Sequence, residues 1–157
     1  MTLVVKLRDI VDELDMLSDG FQAFLNKYTG KLITLSREEL AAAKAGDDLN
    51  AYSDWEPEAI QAAQAILNTD AYLLLPSTVE IHEYSIMERF CYAIEDTELR
   101  SELLRQIKGS GAFRRFKHTI DRHSLDQDWY RYRQQALEQI AIDWLNENRI
   151  EYEPGSG

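Results

Sequence analysis

The sequence holds one cysteine, three histidines and no apolar run approaching the roughly 20 residues that a membrane span needs. Each scarcity excludes something. Cys91 on its own makes no internal disulfide and falls short of even a minimal cysteine pair for zinc, which fits a reducing compartment. The opening MTLVVKLRDIVDEL has acids where a signal peptide has its apolar core, so the chain is expected in the cytoplasm and off the membrane. Positive charge is also in short supply: 17 Lys+Arg stand against 28 Asp+Glu, for a formal net charge of −11. That balance argues against general attraction to nucleic acid or anionic lipid.

Catalytic signatures are missing as well. His82-Glu83 begins like the zinc-binding HExxH, but the second histidine would have to stand where Ile86 is. His82 falls on a different expected helix from His118 and His123, so a histidine metal site would need a tertiary coincidence, and no metal site and no cofactor are expected. Serine-nucleophile elbows, GxxxxGK[ST] phosphate loops and GxGxxG fingerprints are absent. Carboxylates do crowd together, at Asp12, Glu13 and Asp15 and again at Glu95, Asp96, Glu98 and Glu102. On amphipathic helices such groups usually form a solvated face, and they leave an enzyme with a carboxylate site as a minor alternative.

What is present is a set of helical stripes. With 157 residues, 45% of them hydrophobic, the chain is expected to form one globular domain over residues 1–153, with 154–157 a flexible tail or cloning remnant. Leu7, Ile10, Val11 and Leu14 predict a short helix within Val4 to Leu17. The period then shortens. FQAFLN and KLITLS flank a Thr29-Gly30 turn and predict an antiparallel hairpin. Ser36 and Glu39 form a capping box that starts a helix from Arg37 to about Ala45, ended by Gly46. GDDLNAYSD reads as a surface loop.

Pro57 opens a helix with Ile60, Ala63, Ile66 and Leu67 inward, and YLLLP reads as an extended buried connection. Thr78 or Glu80 starts a helix bearing Ile86, Met87, Phe90, Cys91 and Ile94. Asp96 caps another carrying Leu99, Leu103, Leu104 and Ile107, which stops at Gly109. Ser110 is placed to cap a helix with Phe113, Phe116 and Ile120 inside. Asp126 to Asn146 is the longest periodic element. Cys91, Tyr84 and Trp144 read as core residues. The fold class is therefore α+β, predominantly helical, with one N-terminal antiparallel β-hairpin.

Three spaced segments, IHEYSIMERFC at 81–91, GSGAFRRFK at 109–117 and WYRYR with ALEQIAIDWL between 129 and 145, resemble the bacterial uncharacterised protein family 0158. The likeness extends over the opening VKLRDIVDEL and the hairpin. The family pattern has a basic residue between the two glycines, where this chain has Ser110, so one positive charge is lost there. The resemblance implies a small bacterial cytoplasmic protein, and it carries no catalytic residue over.

One segment runs against the acidic composition. Arg105 to Arg122 holds six basic residues and the single acid Asp121, and without that net +5 the remainder stands at −16. If Phe113, Phe116 and Ile120 point inward, Arg114, Arg115, Lys117, His118 and Arg122 spread over the outer face. Near the helix start, after Ser110, the amides of Gly111 and Ala112 are unpaired donors at the positive end of the dipole and favour an anion, which adds Ser110 and Gly111 to the candidate site. Arginine forks match carboxylate and phosphate alike. Arg133, among Trp129, Ala136, Leu137 and Ile140, either snorkels outward, meets a buried acid, or joins Arg114 and Arg115 in one convergent site.

Two accounts of this segment stay open: a binding surface for an anionic partner, or a helix neutralised by its own acidic neighbours. Because screening acts over roughly 8 to 10 Å, distant acids do not cancel a local patch. The expected function is thus a small non-enzymatic binding or adaptor protein engaging an anionic partner, a protein in the first instance. An RNA-associated module using the same helix is the alternative. Duplex DNA, which calls for about six to ten phosphate contacts, is not expected.

Overall fold

In the computed structural model, which describes residues 3–44 and 57–154, the helix starts follow local chemistry. The Ser36 amide donates to Glu39 Oε1 at 2.9 Å while the Glu39 amide donates to Ser36 Oγ at 3.1 Å, the reciprocal bonds of a capping box. A second box joins Ser77 and Glu80 in the same way, at 3.3 and 3.2 Å. Asp96 Oδ1 accepts from the amides of Glu98 and Leu99. Each cap is worth about 1 kcal/mol.

The elements in chain order are β1 Val4–Lys6, α1 Leu7–Met16, β2 Phe21–Asn26, β3 Leu32–Ser36, α2 Arg37–Lys44, α3 Pro57–Asn68, β4 Tyr72–Leu74, α4 Thr78–Ile81, α5 Glu83–Tyr92, α6 Thr97–Gln106, α7 Ala112–Arg122, α8 Asp126–Glu147 and β5 Glu151–Glu153. The fold is α+β and dominated by helices. The expected loop at 46–54 and the tail at 155–157 lie outside the described residues. No described helix is long and apolar enough to cross a membrane. The chain divides into two compact units, residues 1–80 with 140–157, and residues 81–139.

In the first unit β2 is the central strand of a three-stranded antiparallel sheet ordered β3-β2-β4. The predicted hairpin is β2-β3. Its turn is tied by Asn26 Oδ1, which accepts from the Tyr28 and Thr29 amides, and by Gly30, whose φ of +77° suits glycine. YLLLP is more than a connection, since Tyr72–Leu74 forms the third strand. Being central, β2 is buried on both faces. Phe24, Leu35 and Ala63 form a cluster packed by Ile33, Leu40, Ala43, Ile66 and Tyr72, while Ala23 and Leu25 are buried from the other side. On that side Thr34 Oγ1 donates to Glu13 of α1.

One predicted boundary and one predicted inward position change. Val4–Lys6 is a strand rather than the first turn of α1, because it pairs in parallel with Glu151–Glu153 at the far end of the chain. Leu67 is 43% exposed, and Ala62 takes the inward position beside Ala63.

The second unit contains α5, α6, α7 and the N-terminal part of α8. The single helix expected from Thr78 or Glu80 is split at His82, whose φ of 52° breaks it and whose carbonyl accepts from the Ser85 amide at 2.9 Å. Phe90, Phe116 and Trp129 form an edge-to-face triad, with ring centroids 5.9, 5.4 and 4.9 Å apart. Ile86, Met87, Cys91, Leu103, Ile107, Ile120 and Leu137 are fully buried. Burying each large side chain contributes about 1.5 to 3 kcal/mol. Tyr84 is a partial exception to its expected core place: 36% exposed, it donates its hydroxyl to the Ile107 carbonyl at 2.9 Å.

Candidate anion-binding groove

The basic segment is organised by the turn between α6 and α7. Gly109 and Gly111 both have φ near +80°, which reverses the chain within a few residues. The N-cap of α7 is Gly111 and no side chain caps it, so Ser110 does not have the capping role the sequence implied. Instead the Ser110 carbonyl accepts from Arg115.

Arg115 explains the shape of this turn. Its Nε donates to the carbonyl of Gln106 at 2.8 Å, Nη2 to that of Lys108 at 2.6 Å and Nη1 to that of Ser110 at 2.7 Å. The last carbonyls of a helix have no intrahelical donor, and one planar guanidinium serves the end of α6 and the loop after it together. Gly111 is favoured by its φ of +79°, and a Cβ there would lie 3.0 Å from Arg115 Nη1, a tight contact that the guanidinium would have to yield to. Arg115 is thus half-buried and committed to the backbone, where the sequence placed it among the outward-facing cations.

The remaining cations are arranged differently. The inward stripe of α7 is Ala112, Phe116, Thr119 and Ile120, and Phe113 is 40% exposed rather than inward. The stripe follows spacings of four, three and one, which leaves position 113 at its edge. Arg114, His118 and Arg122, four residues apart, share one face of α7. With Gln106, Arg115 and Thr119 they line a groove of about 300 Å³.

Arg114 and His118 have no hydrogen bond or ion pair among the described residues. Arg122 donates through Nη2 to Glu102 Oε1 at 2.6 Å, and the other oxygen of Glu102 lies 3.8 Å from His123 Nε2. Lys117 is exposed and feels the negative charge of Asp126. Internal pairing therefore engages Arg115 and Arg122, and of the cations that line the groove it leaves Arg114 and His118 without a hydrogen bond or ion pair among the described residues. The side chains of Arg105, Lys108 and Lys117, outside the groove lining, have none either among the described residues.

Arg133 does not line this groove. Its Nε donates to Glu83 Oε1 at 2.7 Å, its Nη2 reaches the same oxygen, and its side chain is 17% exposed. Of the alternatives for Arg133, the acid partner is the one observed. Ser110, Gly111 and Lys117 flank the groove in sequence without lining it. Thr119 and Gln106 were missed by sequence reasoning, since a lone threonine on an apolar stripe looks like packing.

A second depression of about 600 Å³ is lined by Asp96, Glu98, Glu102, Arg105 and His123 among others. Here Asp96 is occupied as a helix cap and Glu102 as the partner of Arg122. Among the described residues no group of three or more histidines, cysteines or acids is placed to hold a metal ion.

No solved structure matches the chain. It is 29% identical over 145 residues to UPF0158 protein PA5073 of Pseudomonas aeruginosa, covering 90% of this chain and 83% of that protein. The sequence profile of the uncharacterised protein family UPF0158 matches residues 1–154, and the chain belongs to that family.

Proposed function

We propose that this protein is a non-enzymatic binding or adaptor protein that engages an anionic partner protein through the groove on α7. The observation that carries this reading is the pair Arg114 and His118: two groups able to carry positive charge, side by side on one helical face and unpartnered among the described residues, in a chain of net charge −11. Keeping a cationic patch open in an acidic molecule favours encounter with an opposite charge.

The bacterial cytoplasm is the compartment we assign. Its support is the single, buried, reduced Cys91. An RNA-associated role is the second reading, favoured by Phe113, an exposed ring next to Arg114 that is able to stack a base.

Capture from a native bacterial lysate separates the two. The bait is wild type, Arg114→Glu/Lys117→Glu, or Arg131→Glu, the last reversing a charge that pairs with Asp128. A protein partner retained by wild type and by Arg131→Glu after nuclease, and lost with Arg114→Glu/Lys117→Glu, is the expected result. Loss from wild type on nuclease treatment would transfer the groove to RNA. Arg115 is left intact in these baits because its substitution disturbs the turn itself.

A further inference from the structure

We infer that the groove on α7 takes a phosphoryl group, presented as a phosphomonoester on a side chain of the partner protein; this rests on the binding role proposed above and names its ligand. Thr119 supplies the first observation. It is 2% exposed, lines the groove, and makes no side-chain hydrogen bond among the described residues. Burying a hydroxyl without a partner is costly, because the group gives up its bonds to water and gains none in return. Yet no described polar side-chain atom is both sealed from solvent and unsatisfied, so the Thr119 hydroxyl opens on the groove it lines. It is a donor waiting at the floor of a cationic depression.

The donors above it are set for a tetrahedral ligand. Arg114 keeps its whole fork, His118 stands one turn further on, and Arg122 retains Nε and Nη1 after giving Nη2 to Glu102. A carboxylate is planar, and its two oxygens are satisfied by one guanidinium fork. A phosphomonoester has three diverging oxygens that draw on a floor hydroxyl and on two flanking forks at once.

Charge distribution points the same way. Glu102 borders the groove through its bond to Arg122, and beyond it lies the depression lined by Asp96, Glu98 and Glu102. A run of carboxylates or a phosphodiester chain laid across α7 would cross these like charges. A phosphomonoester places a charge of about −2 at one point. With a volume of about 300 Å³, the groove is at the small end of ligand sites and suits a headgroup.

The test is an NMR titration of the ¹⁵N-labelled full chain with four probes: N-acetylphosphoserine N-methylamide, N-acetylglutamate N-methylamide, inorganic phosphate, and a 5′-hydroxyl oligoadenylate. The expected result is that the phosphoserine probe shifts amides of α7 and the end of α6, and binds about tenfold more tightly than the glutamate probe. Arg114→Gln, at an exposed position, abolishes that binding. Thr119→Val weakens the phosphoserine probe about fivefold to tenfold without changing the glutamate probe, as loss of one charge-assisted bond requires, and Thr119→Ser restores it.

Equal binding of the phosphoserine and glutamate probes overturns the phosphoryl assignment while leaving the anion-binding role standing. Inorganic phosphate as the tightest ligand overturns attachment to a partner side chain. Tighter binding of the oligoadenylate overturns it in favour of RNA. Silence from all four overturns the groove and the proposed function together.

Discussion

Glu83 and Arg133, fifty positions apart, form an ion pair in which Nε and Nη2 of the guanidinium converge on a single carboxylate oxygen. Glu83 is the first residue of α5, where the helix dipole also favours an anion. With Arg133 17% and Glu83 37% exposed, the pair is neither fully dry nor freely screened.

Removing one partner should therefore cost less than the 3 to 5 kcal/mol of a fully buried pair, and about 1 to 3 kcal/mol is expected for Arg133→Met or Glu83→Gln. The double variant should lose less than the sum of the singles. Urea unfolding of all four proteins measures the coupling, and additive losses would show that the contact contributes nothing.

Arg115 is expected to be a residue of the fold. Arg115→Gln leaves the carbonyls of Gln106, Lys108 and Ser110 without their shared donor and should destabilise by about 2 kcal/mol. Arg115→Lys should recover little, since one ammonium does not reproduce a three-way planar fork. Gly111→Ala should be comparably costly through φ and its approach to Arg115. Thermal unfolding followed by circular dichroism decides, and an unchanged midpoint for Arg115→Gln would contradict the geometry.

Burial, then the nearby charge of Glu88, pushes the Cys91 thiol up from 9.0 to about 11, against a smaller lowering by its own backbone hydrogen bond. The native thiol should be inert to Ellman's reagent at mildly alkaline pH and react on unfolding. The sign for stability follows. Below pH 9 the thiol is protonated in both states and costs nothing. Between about 9 and 11 the unfolded chain ionises while the folded one does not, so stability falls as pH rises. Cys91→Ala should remove that part of the alkaline slope, read from denaturant midpoints across this range.

His82 adopts φ 52° and ψ 66°, a conformation that costs a non-glycine residue about 1 to 2 kcal/mol. His82→Gly relieves that strain and loosens the unfolded chain, for an expected net gain of about 0.5 to 1 kcal/mol. A loss of stability in calorimetry would mean that the imidazole makes a contact worth more than the strain.

Much of the fold could be read along the chain because its causes are local. The Ser36–Glu39 box, the Asp96 cap, the Thr29-Gly30 turn and the stripe of Leu7, Ile10, Val11 and Leu14 involve residues within a few positions of one another. The basic segment was visible as composition, and its Arg114, His118 and Arg122 are in the groove as helical spacing implies. Spacing says nothing of partners, however, so Arg115 was placed with the solvent-facing cations and Thr119 was passed over.

The sequence by itself determined where helices begin, which stripe of each is apolar, and that one basic helix stands in an acidic chain, because these depend on periods of two to four residues. Only the tertiary structure decided that Val4–Lys6 joins Glu151–Glu153, that Tyr72–Leu74 completes a sheet, that Glu83 holds Arg133, and which cations of α7 remain open. Those outcomes are set by residues brought together from distant parts of the chain, whose proximity leaves no trace in any local pattern.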